Sequence, residues 1–90
     1  MRLGDAFNTH NPALITLAEK GYRLWIQPSN EEAETEIGFW CASIDDTEFI
    51  AGDPLALLGL VAIWEHRGAE WKRSDDADLY DTLVEKAYPD

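Results

Sequence analysis

The sequence predicts a single α+β domain, a three-stranded antiparallel sheet with helices on one face, in the order α-β-β-β-α-α. Three observations lead there. Two segments open with an Asn-Pro or Asp-Pro pair and close at a glycine, which is how helices begin and end. Three segments between them alternate apolar and polar residues, as half-buried strands do. A last segment repeats apolar residues at helical spacing.

Residues 1–10 have weak patterning and read as an N-terminal arm. Asn11-Pro12 then starts the first helix, with Leu14, Ile15, Leu17 and Ala18 on its apolar side. Gly21 supplies the left-handed residue that stops it, and Tyr22 is placed to fold back onto Leu17 in a Schellman ending. Residues 22–28 alternate as a strand. Tyr22, Leu24 and Ile26 face one way; Arg23, Trp25 and Gln27 face the other. Residues 28–35 form a polar, acidic loop.

A hairpin follows, built from 36–44 and 47–51 around Asp45-Asp46. A two-residue turn pairs Ile44 with Thr47, Ala42 with Phe49 and Trp40 with Ala51, although Asp-Asp is a weaker turn pair than Asp-Gly and leaves a longer loop open. That register gathers Trp40, Ala42, Ile44, Phe49 and Ala51 on one face, and a slip of one residue would mix the faces. Asp53-Pro54 opens the second helix, which runs to Arg67 with Gly68 just beyond. It is apolar nearly all round, so it needs cover on more than one side. Gly59 within it points to a close helix approach, by the third helix or by a second copy. The third helix, residues 75–88, is the expected cover, with Asp75, Asp76 and Asp78 in its first turn and Lys86 in its last. Ala69 to Ser74 links the two, with Trp71 as a plug.

Ninety residues fit one domain, 1–90. Apolar residues make up 46%, and four Trp, three Tyr and three Phe supply a core, which argues against disorder despite a net charge of −11. Eighteen Asp and Glu face seven Lys and Arg. That balance excludes nucleic acid and disfavours an anionic membrane surface, while a basic protein partner would be drawn in. The longest apolar run, Pro54 to Trp64, is too short to span a bilayer. A single cysteine, Cys41, and an N-terminus without a signal-peptide pattern fit a cytoplasmic protein.

No residue set reads as catalytic, and no cofactor or metal is implied. His10 and His66 are isolated from each other and from Cys41, so no zinc spacing arises. His66 suits a helix C-terminus as a cation. The acidic loop lacks the glycine and alternating ligands of a calcium site. The candidate partner-binding residues are Trp25, Arg23, Gln27 and Phe39 on the sheet face away from the helices, with Glu31, Glu32 and Glu34 beside them. An outward Trp next to Arg is typical of residues that dominate protein interfaces.

The order of the first helix, three strands and second helix resembles that of double-stranded-RNA-binding domains. Those domains carry basic residues at the start of their second helix, whereas this chain has Asp53-Pro54-Leu55-Ala56 there, against RNA binding. The stretch Trp40-Cys41-Ala42 through Phe49, then Asp53-Pro54-Leu55-Ala56-Leu57-Leu58-Gly59-Leu60 to Trp64-Glu65-His66-Arg67-Gly68, resembles a group of small bacterial proteins of unknown function. In size and charge the chain is similar to immunity and antitoxin proteins, which act by binding a toxin. The expectation is a non-enzymatic acidic interaction module that binds a basic partner protein as an immunity protein or inhibitor does. The alternative is a homodimer or larger homo-oligomer with a structural or regulatory role. A small-molecule binder or enzyme near His66 stands third.

Overall fold

The computed structural model describes residues 1–28 and 38–89. Helix α1 spans His10–Glu19, β1 Arg23–Gln27, β2 Phe39–Ile44, β3 Thr47–Ala51, α2 Pro54–Arg67 and α3 Leu79–Ala87. The sheet is antiparallel with order β1-β2-β3. Helices α1 and α2 pack on one of its faces and against each other.

Local chemistry explains most element ends. The N–H of Gly21 donates to the carbonyl of Ala18 (3.0 Å) and that of Tyr22 to the carbonyl of Leu17 (3.1 Å), with Gly21 at φ 97°. This is the Schellman ending, and it needs the left-handed backbone that glycine adopts without a Cβ clash. Asp53 caps α2 by accepting from the N–H of Ala56 (2.7 Å), and Pro54 fills the first helical position. Gly68, at φ 74°, ends that helix. The hairpin has the expected register: Ile44 opposite Thr47, Ala42 opposite Phe49, Trp40 opposite Ala51. Asp45 takes the positive φ (52°) that so tight a turn requires.

The start of α1 differs from the expectation. Phe7–Thr9 forms a 3-10 turn, in which the Thr9 hydroxyl accepts from the N–H of Ala6 (2.9 Å). The helix therefore begins at His10, and Asn11 is inside it rather than capping it. Pro12 still lies in the first turn, where no intrahelical N–H is missed.

The core lies between the sheet and the two helices. Leu17, Ala42, Leu57 and Val61 are wholly buried, with Tyr22 and Phe49 nearly so. Tyr22 meets Phe49 edge-on at 6.0 Å, and Phe49 meets Trp64 at 5.4 Å. The Tyr22 hydroxyl donates to Glu65 Oε2 (3.0 Å), and Glu65 Oε1 pairs with Lys20 Nζ (3.2 Å). These bonds tie the end of α1 to the end of α2. Burial, with the hydrogen bond to the Glu65 carboxylate and its charge, pushes the Tyr22 phenol up to about 12.

The third helix departs furthest from the reading above. It covers neither α2 nor the sheet, and none of its residues is buried. It is also shorter than residues 75–88. Asp76 is drawn instead into a bidentate pair with Arg67, at 2.7 and 2.8 Å, so Asp78 becomes the cap and accepts from the N–H of Asp81 (3.1 Å). Gly59 likewise has no close helix beside it: a Cβ built there meets nothing within 4 Å.

Candidate protein-binding surface

Strand alternation fixes which side chains leave the core. The pairings set Trp25 beside Cys41 and Cys41 beside Ile50, in one row across the sheet. Arg23, Ser43 and Glu48 form the next row, and Gln27 pairs with Phe39. Neither α1 nor α2 packs on this face, and α3, exposed along its whole length, does not cover it. Arg23, Gln27, Phe39 and Ile50 are exposed, and Trp25 is half-buried. The guanidinium of Arg23 sits 5.1 Å from the centre of the Trp25 ring, a cation–π stack. Cys41, in the central strand between two large neighbours, is buried.

The four predicted residues Trp25, Arg23, Gln27 and Phe39 thus share one face. Glu31, Glu32 and Glu34 lie outside the described residues. On the described part of the face the only carboxylate is Glu48, so charge does not ring the aromatic patch there.

The apolar surface does not stop at the β1 edge. A groove of about 330 Å³ lies over that edge, bordered by Trp25, Ile26, Leu24, Leu14 and Trp40. Leu14 and Trp40 also line a second, wider cavity of about 760 Å³ with Phe7, His10 and Pro54. The two share a wall and form one apolar trough between the N-terminal segment, α1 and the sheet edge. His10 is part of this trough, not of a structureless arm: it opens α1, is half-buried and stacks on Phe7 at 5.2 Å. Sequence reading missed Leu14, Trp40 and Phe7 as surface-forming residues. Only their apolar character was visible there, and the trough arises where the N-terminal segment and α1 meet the distant Trp40 and Pro54.

His66 is exposed in the last turn of α2 and borders neither cavity. Among the described residues, no three His, Cys, Asp or Glu side chains cluster to hold a metal, and no helix is long and apolar enough to cross a membrane. Comparison with known protein families, curated proteins and solved structures finds no match to this chain.

Proposed function

We propose that this chain is a non-enzymatic protein-binding module that docks its partner along the Trp25 side of the sheet. The surface runs from the open face over the β1 edge into the trough at Leu14 and Trp40. The observation that carries the reading is this apolar strip with an Arg-stacked Trp at its middle, on a face that no described helix packs against. Trp and Arg so placed are the residues that most often dominate binding energy. β1 is a sheet edge, and among the described residues no strand pairs with its outward N–H and C=O groups, the arrangement that an added strand uses. A net charge of −11 favours a basic partner and speeds its approach, which is the behaviour of an immunity protein or inhibitor.

The test is affinity capture of the partner by the full chain, with Trp25→Ala as the paired variant. Loss of a central Trp costs about 2 kcal/mol or more, roughly 30-fold in affinity. Raising salt slows association if the carboxylates steer it. Equal capture by wild type and Trp25→Ala refutes the assignment of this face.

A further inference from the structure

On the opposite edge of the sheet a second groove, about 320 Å³, lies between β3 and α2. Ile50, Leu60, Trp64 and Trp71 line it, and Ile50 and Trp71 stand on its rim, 49% and 39% exposed. That volume is about twice that of a cavity able to take up benzene, so it has room for two large apolar side chains. The rim is charged on both sides. Glu48 borders it on the strand side, and Lys72 lies 5.9 Å over the Trp71 ring on the other.

Helix α3 has the matching form. At 100° per residue its apolar side chains Leu79, Leu83, Ala87, Tyr80 and Val84 fill one arc of about 140°. The four large ones are 44–79% exposed. Lys86 flanks the arc beside Leu79 and Leu83; Asp81 and Glu85 flank it beside Val84. A helix seated with Lys86 toward Glu48 therefore brings its acidic flank toward Lys72.

Its own groove is not where α3 sits. The Arg67–Asp76 pair, with Arg67 also donating to the carbonyl of Trp71 (3.1 Å), ties the connection to the end of α2. Only Ala77 and Asp78 remain between that tie and the helix. The Cα radius of gyration is 16.0 Å, where a closely packed chain of this length has about 12 Å. A helix standing off the core is part of that excess.

We propose that α3 of one copy seats in the β3–α2 groove of a second copy, and reciprocally, to form a two-fold dimer. Reciprocity closes the assembly, whereas a one-way contact would propagate as a filament. Burying the α3 arc against a groove covers roughly 400 Å² on each side, and two such contacts reach about 1,600 Å² in total, the size of a stable interface. The groove meets the open face at Ile50 and Glu48 but includes neither Trp25 nor any residue of the β1-edge trough, so Trp25 separates the two surfaces experimentally.

Light scattering on the full chain at about 100 μM tests this, since interfaces of that size bind at micromolar or tighter. Wild type is expected to be a dimer. Leu83→Glu and Ile50→Glu, both at exposed positions, are each expected to be monomers, with dimer affinity lowered at least tenfold. Mixed together they keep one of the two contacts whole, the intact helix of one in the intact groove of the other, so the mixture is expected to associate more tightly than either variant alone and more weakly than wild type. Salt is expected to strengthen the dimer by screening two chains of like charge, the opposite of its effect on a basic partner. Trp25→Ala leaves the dimer intact, so this proposal and the docking surface fail separately. A monomeric wild type, a dimer indifferent to Leu83→Glu, or no tighter association on mixing overturns it.

Discussion

Replacing Gly59 by Ala is expected to stabilise the fold. The residue sits in the middle of α2, six places from the Asp53 cap and nine before Gly68, with an exposed surface and ordinary helical backbone. A methyl added there meets no atom within 4 Å, so nothing is displaced. What remains is the difference in helix propensity. Glycine costs about 1 kcal/mol relative to alanine in a helix interior, largely because its unfolded chain has more states to lose. For a domain of this length that corresponds to a rise of roughly 4–8 °C in Tm. Urea denaturation followed by circular dichroism reads the same quantity as a higher midpoint at unchanged slope. The measurement belongs at low micromolar concentration, where self-association contributes least. An unchanged or lowered midpoint would refute the argument, because it would mean that the outer face of α2 is in close contact with another surface.

The two polar ties each make a prediction by mutation and one by pH. Tyr22→Phe removes the hydroxyl bond to Glu65 and is expected to cost about 1 kcal/mol or somewhat more, read by the same denaturation curves. Because the folded phenol titrates near 12 against an ordinary 10.0, its contribution is full below pH 10 and fades as pH rises toward 12; wild type should lose more stability over that interval than Tyr22→Phe. Asp76→Asn breaks the charged bidentate pair with Arg67 and is expected to speed tryptic cleavage after Lys72 and Arg73 several-fold, while α2 keeps its hydrogen-exchange protection. The Asp76 carboxyl is held below its ordinary 3.8, chiefly by the Arg67 hydrogen bonds, so the tie is complete above that pH and lost only as pH falls through the lowered value.

The parts legible in the sequence are those decided within a few residues. The Schellman ending at Gly21, the Asp53-Pro54 start and the stop at Gly68 each depend on local backbone chemistry. The hairpin register was legible because only one pairing keeps Phe49 with Ala42 on the buried face. The phase of β1 placed Trp25 with Arg23 for the same reason. Partnership was harder. The apolar circumference of α2 states that it needs cover, and the arc of α3 states that it has a face to bury, but periodicity names no partner. Joining the two within one chain was therefore natural and incorrect. Gly59 signals a close approach to α2 without saying whether α3 or a second copy makes it, and within the chain α3 does not. The trough of Phe7, His10, Leu14 and Trp40 depends on convergence of segments roughly thirty residues apart, for which a single sequence carries no signal.

The sole sulfhydryl of the chain sits in the middle strand, closed over on the side that no described helix packs against. A reagent reaches it only when strands part or neighbouring side chains swing away. Its alkylation rate therefore clocks the opening of that sheet centre, without any introduced label. An occupant on the outer face would slow that clock.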